Sequence, residues 1–190
     1  GGLKLAGALD SFDVDVTGRI ALDVGASTGG FTDCLLQRGA ERVYALDVGY
    51  NQLAWSLRRD PRVVVHERVN VRDAPLDLLP ERVQLIVVDV SFISLHLVLP
   101  AAMVFADGQC DLVALIKPQF EVGPERVGKG GIVRDAAARR EAVESIQALI
   151  RTLGLEERGL CAAAITGTKG NQEFLIHGHR SRLSSALSVR

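Results

Sequence analysis

The stretch "GRIALDVGASTGGFTDCLLQRGA", residues 18–40, decides the fold. Its first third is an apolar, β-prone run that ends in a Gly-rich turn, so residues 18–25 read as a strand. Residues 28–40 read as a helix: Phe31, Cys34 and Leu35 return to one face and Gly39 marks its end. A strand, a Gly-rich turn and a helix in that order open a βαβ unit.

Outward from there the alternation continues. "RVYALDVG" (42–49) is a second strand, and "NQLAWSLRR" (51–59) is a helix with Asn51 as its cap. Tyr50 and Trp55 are assigned to packing of that helix rather than to base stacking. Strands follow at 62–67, 82–91 and 111–117, and a long helix covers Asp135–Leu153. Two more strands are expected in "LCAAAITG" (160–167) and "QEFLIHG" (172–178). Continuous Val/Leu/Ile runs without polar alternation mark strands covered on both faces. The predicted class is α/β and Rossmann-like, a mostly parallel seven-stranded sheet with helices on both faces. The domain is drawn over residues 1–178, with a loosely held polar tail at 179–190.

Composition sets bounds on function. A chain of 190 residues, 47 % hydrophobic and 24 % charged, is one globular domain with a sizeable core. Its net charge of −1 gives no global attraction to nucleic acid, so any such site must be a local patch. Cys34, Cys110 and Cys161 are widely spaced with no CxxC pair, which predicts reduced thiols, a cytoplasmic setting and no metal site. His66, His96, His177 and His179 have no metal-like spacing, and the last two read as structural. The longest uncharged stretch, 90–106, contains Ser91, Ser94, His96 and Pro100 and is shorter than the roughly 20 residues a membrane span needs. The chain opens at Gly1 without methionine and reads as a fragment or processed product.

In open α/β sheets, ligands sit outside the carboxyl ends of the strands. Here those ends carry Asp23–Gly25, Asp47, the neighbourhood of Asn70, Asp89 and Lys117. The glycines at 25, 29 and 30 do not make the GxGxxG spacing that cradles a pyrophosphate. Asp23 beside the turn is unwelcome next to phosphate but suits a cofactor with a cationic end. Asp47 stands at the next strand end, where a carboxylate holds a ribose diol. The set points to S-adenosylmethionine and away from a nicotinamide dinucleotide. Lys117, closing the buried run Leu112–Ile116, demands a reason: such a run ends in lysine where the strand opens onto something.

Five further motifs occur in order: "GGLKLAGAL" at the N-terminus, "SFISLHLVLP" after Asp89, "IKPQFEVG" around Lys117, "VGKGGIVRD" at 127–135 and "GNQEF" at 170–174. With them the sequence resembles the TlyA (hemolysin A-like) family, which carries an FtsJ-type methyltransferase domain, from Gly1 to about Gly178. The resemblance implies S-adenosylmethionine-dependent 2′-O-methylation of ribosomal RNA, with cytidine as the nucleotide and ribosomal subunits as the partner. It implies a Lys-Asp-Lys-Glu tetrad of Lys4, Asp89, Lys117 and Glu173, with Lys117 as general base. It also implies that Gly25, Ala26, Ser27, Gly29, Phe31 and Asp47 line the cofactor and that Asn70 approaches its adenine. Phe31 stands where the family often has Trp, and Asn70 where it often has Asp. Family members usually carry an N-terminal S4-type RNA-binding domain, which this sequence does not contain.

The tetrad has a chemical rationale. A ribose hydroxyl is a weak nucleophile whose proton must leave as it attacks, and lysine is a base only when neutral. Its pKa has to fall from about 10.4 towards roughly 7–8, which burial and a second cation such as Lys4 favour. Asp89 and Glu173 would orient the lysines. The loop 117–134 carries Lys117, Arg126, Lys129 and Arg134 against Glu121 and Glu125, and its glycines allow closure over a substrate. Competing readings are a catalytically silent ribosome-binding module of the same fold and a membrane-active hemolysin, for which no span or basic amphipathic helix is present. The residues specify no oligomeric state.

Overall fold

A computed structural model describes residues 1–182. Seven strands form one sheet: β1 (Ile20–Val24), β2 (Arg42–Leu46), β3 (Val63–His66), β4 (Val83–Val88), β5 (Ala106–Ile116), β6 (Glu156–Ala162) and β7 (Phe174–Arg180). Their order across the sheet is β3-β2-β1-β4-β5-β7-β6, with β7 antiparallel to both neighbours and the remaining pairs parallel. The predicted mostly parallel α/β sheet is thus observed. The reversal has a simple cause. A parallel neighbour needs a crossover of a dozen or more residues, and no helix of that kind lies between β6 and β7, so the chain turns straight back.

Helices cover both faces. On one lie α1 (Gly2–Ser11), α2 (Gly30–Gln37) and α3 (Trp55–Arg58); on the other lie α4 (Leu95–Ala102) and α5 (Ala136–Thr152). Leu85 and Val87 enter the first layer and Ile86 and Val88 the second, all fully buried, which is why Leu85–Val88 reads as an unbroken apolar run. Leu112 to Ile116 are likewise at most 1 % exposed. Two helices carry side-chain caps: Asp135 accepts from the Ala137 N–H at α5, and Ser94 caps α4 through the His96 N–H.

Several boundaries move. Asn51 does not cap a helix; it sits in the left-handed region (φ 55°), and the N–H groups of Asn51 and Gln52 are engaged by the Glu67 carboxylate. α3 therefore starts only at Trp55. Trp55 and Tyr50 do not pack in a helix core: they are 71 % and 63 % exposed, and the Arg68 guanidinium lies 4.2 Å over the Tyr50 ring. β6 starts at Glu156, four residues before the expected strand, and leaves Ile165–Gly167 in a loop. It is an edge strand with alternating exposure, so it lacks the solid apolar run of the inner strands. β7 continues through His179 and Arg180, so the first residues assigned to a tail belong to the sheet. Residues 183–190 of that tail lie outside the described residues.

His177 and His179 are structural, as expected. Both rings bond to Asp111 Oδ1, at 2.7 and 2.9 Å, and Arg19 takes Oδ2 at 2.5 Å. Burial alone would push the Asp111 carboxyl up, but the bonds from His177, Arg19 and His179 outweigh it and hold the group well below the usual carboxylate range.

Candidate active site

The carboxyl ends of β1, β2 and β4 open on a cleft of about 450 Å³, at the point where the strand order reverses. Gly25, Ser27, Asp47, Asn70 and Asp89, all anticipated from sequence, line it together with Ser91 and Phe92. Gly25 has φ +85°, and a Cβ there would stand 2.1 Å from the Asp89 carbonyl oxygen. Only glycine lets the two strand ends approach this closely. Asp47 is fixed by two backbone donors, the N–H groups of Ser27 and Gly49, each at 2.7 Å. Asn70 accepts from the Arg72 N–H at 3.1 Å, which aims its side chain along the rim.

Asp23, Ala26, Gly29 and Phe31 are not among the lining residues. All four are buried behind the turn. Gly29 is needed for packing, since a Cβ there would meet Leu57 Cδ1 at 2.2 Å. Phe31 lies 3 % exposed in the layer of α1 and α2. Asp23 accepts the Thr32 hydroxyl at 2.7 Å, while its other oxygen is buried without a partner. Burial pushes its carboxyl up to about 7; the Thr32 bond opposes this, and repulsion from Asp89 and Asp47 adds to it.

The tetrad residues stand as two ion pairs. Lys117 Nζ contacts Asp89 Oδ1 at 2.7 Å and donates to Ser91 Oγ at 2.9 Å. Lys4 Nζ donates to Glu173 Oε2 at 2.7 Å, across 169 residues of chain. Glu173 is almost wholly buried, its side chain 2 % exposed, and Lys4 is the cation it faces. Lys4 reaches the rim because α1 begins against α2: a Cβ on Gly2 would stand 2.8 Å from the Gly30 carbonyl oxygen, and one on Gly1 3.6 Å from Asp89 Oδ2. Lys117 and Glu173 line a second cleft of about 240 Å³, together with Ser91, Phe92, Phe120 and Lys169. Ser91 and Phe92 line both clefts and so mark where they meet, next to the Asp89–Lys117 pair.

Some of these residues escaped sequence reasoning. Phe92 is 90 % exposed with φ +64° and leans on Phe120, ring centroids 5.1 Å apart. A bulky residue held in the left-handed region and turned to solvent is costly, and such strain concentrates at functional sites. Its only trace in sequence is its place three residues after Asp89. Glu121, counted above only as a loop charge, instead accepts from Ser94 Oγ and the Leu95 N–H at 2.6 and 2.8 Å, tying the loop after Lys117 to α4.

Residues 1–180 match the model of the FtsJ-like methyltransferases. The chain belongs to the FtsJ-like methyltransferase family. Among relatives, the Mycobacterium tuberculosis protein named 16S/23S rRNA (cytidine-2′-O)-methyltransferase TlyA is 49 % identical over 190 residues, all of this chain and 70 % of that protein. Hemolysin A of Brachyspira hyodysenteriae is 44 % identical over 177 residues, 93 % of this chain and 74 % of that protein. A solved structure described as a "putative hemolysin" from Lactococcus lactis superposes with a TM-score of 0.92 at 48 % identity, covering 96 % of this chain and 88 % of that one. Among the described residues no helix is long and apolar enough to cross a membrane.

S-adenosylmethionine is the cofactor of this FtsJ-like methyltransferase, and the larger cleft fits it. Its lining holds two carboxylates, Asp47 and Asp89, and neither lysine nor arginine. That set receives a cationic, phosphate-free group and repels a pyrophosphate.

Proposed function

We propose that this methyltransferase modifies a ribose 2′-hydroxyl of ribosomal RNA, on cytidine, in the cytoplasm where ribosomal subunits are found. The observation that carries the proposal is the junction of the two clefts at the Asp89–Lys117 pair. Gly25, Ser27, Asp47, Asn70 and Asp89 hold the cofactor, while Asp23, Ala26, Gly29 and Phe31 support the turn from behind. The cofactor supplies an electrophilic methyl group on a sulfonium. The target nucleotide enters the smaller cleft with its hydroxyl against Lys117 Nζ. A base needs a free lone pair, so Lys117 would release its ammonium proton to solvent as its contact with Asp89 gives way to the hydroxyl, and the neutral amine would then take the hydroxyl proton. Lys4 and Glu173 keep a second charge pair beside the reacting oxygen. Phe92 and Phe120 offer flat faces to the base of that nucleotide. The relatives named as rRNA (cytidine-2′-O)-methyltransferases support ribosomal RNA as acceptor.

The test is transfer of a labelled methyl group to separated ribosomal subunits by the parent and by Lys117→Ala. The expected result is label on a ribose 2′-oxygen with the parent and a loss of 10²-fold or more with the variant, about the contribution of general-base catalysis. Label on a base atom, equal labelling by both proteins, or no labelling by a parent that binds the cofactor would each overturn the proposal.

A further inference from the structure

Lys169 stands out among the charges of the smaller cleft. Lys117 and Glu173 each have an ion-pair partner, whereas Lys169 has no ion pair or side-chain hydrogen bond among the described residues and is exposed. Its backbone is held at φ +62°, a left-handed conformation that lysine seldom adopts. Gly170, the next residue, is also left-handed at φ +84°.

The constraint comes from Asn171, which is 3 % exposed. Its amide nitrogen donates to the Gly131 carbonyl at 2.8 Å, and its oxygen accepts from the Val133 N–H at 3.1 Å. One buried side chain thus clamps the turn 168–170 onto the loop 127–134. The Gly131 position lies next to Lys169: a Cβ there would stand 3.9 Å from Lys169 Nζ. Gly130 and Gly131 are left-handed too, at φ +81° and +79°, and the loop closes on itself through a Gly128–Ile132 bridge. The loop carries exposed Lys129 and Arg134 and no acidic residue from Val127 to Arg134, and neither cation has an ion pair among the described residues. The neighbouring Arg126 is different, being neutralised by Glu141 and Asp135. Thus three unneutralised cations sit on two mutually clamped glycine-rich turns beside the cleft that holds Lys117.

We propose that these two turns form a phosphodiester clamp, with Lys169 as the contact nearest the reacting ribose and Lys129 and Arg134 further out on the loop. The inference rests on the RNA reading above and adds to it the element that registers the backbone. Phosphate contacts position a nucleic acid without reading its sequence. A clamp fixed by Asn171 presents its charge without reordering on binding. Lys169 is a positioning residue: it holds the RNA backbone at the cleft, and Lys117 acts on the hydroxyl.

The test is binding of a fluorescent single-stranded RNA to the full chain between 20 and 200 mM KCl, for the parent, Lys169→Gln and Lys169→Arg, with methyl transfer followed on the same RNA. Removing one phosphate contact is expected to make the slope of log K against log salt shallower by roughly 0.7. Lys169→Gln should show that change and a higher KM for RNA with kcat retained, and Lys169→Arg should restore both. Thermal melts should be unchanged, because the side chain is exposed. Equal slopes for parent and Lys169→Gln would overturn the clamp while leaving the RNA reading intact. No RNA binding by the parent at 20 mM KCl would overturn both.

Discussion

Gly167 lies flat against the carboxyl group of Glu173: a Cβ at position 167 would stand 1.9 Å from Glu173 Oε1. The glycine is what allows a buried carboxylate to sit beneath the β6–β7 loop and receive Lys4. Gly167→Ala should therefore push Glu173 aside and break the Lys4 contact. Methyl transfer is expected to fall at least tenfold while cofactor affinity, measured by calorimetry, stays within twofold of the parent. Unchanged transfer would mean that the Lys4–Glu173 pair plays no part in the reaction.

Asp47 holds two N–H groups of the cofactor rim, from Ser27 and Gly49. Hydrogen bonds to a charged acceptor are worth about 1.5–3 kcal/mol each, so Asp47→Ala leaves two donors without their acceptor and, on the proposed reading of the cleft, the cofactor's ribose as well. A 10- to 100-fold weaker affinity for S-adenosylmethionine is expected from titration calorimetry. Thermal stability of the cofactor-free protein should fall by a few degrees only, because both donors lie at the rim within reach of water.

Asp23 makes stability depend on pH. Its carboxyl is raised from 3.8 to about 7 by burial, so between those values the folded chain retains a proton that the unfolded chain has lost. The stabilising contribution is complete below about pH 4 and disappears as pH rises through 7. The whole effect is on the order of 4 kcal/mol. Denaturant melts from pH 4 to 8 should show this loss in the parent and a much flatter profile in Asp23→Asn, which keeps an acceptor for Thr32. Identical profiles would show that Asp23 is not the group responsible.

Asp111 has the opposite sign. Its carboxyl is held low by His177, Arg19 and His179, so its contribution is present above the ordinary carboxylate range and lost as pH falls towards its folded value. Asp111→Ala strands the Arg19 charge and two buried rings, a change that costs about 3–5 kcal/mol where a buried pair is broken. The variant should melt well below the parent yet bind S-adenosylmethionine normally wherever it remains folded. A loss of cofactor affinity in the folded variant would contradict the assignment of this cluster to the frame.

Much of this molecule is written locally in its chain. Strands buried on both faces are rich in apolar residues, so β1, β2, β4 and the second half of β5 are legible from "IALDV", "RVYAL", "VQLIVV" and "DLVALI". Strand ends meet the rim, so Asp47, Asp89 and Lys117 are legible as candidates as soon as the strands are known. The edge strand β6 was misplaced because an alternating strand with one solvated side has no such run. Asn51 reads as a cap from sequence, but its own N–H and that of Gln52 face Glu67, sixteen positions away, and the helix starts only at Trp55. What only the tertiary structure decided are relations between distant residues: that Lys4 meets Glu173 while Lys117 meets Asp89, that Asp23 is sealed behind the turn it borders, and that Phe92 stands exposed between two clefts. The physical reason is one of range. Propensity and periodicity act over a few residues, whereas charge pairing and burial depend on which surfaces the completed sheet brings together.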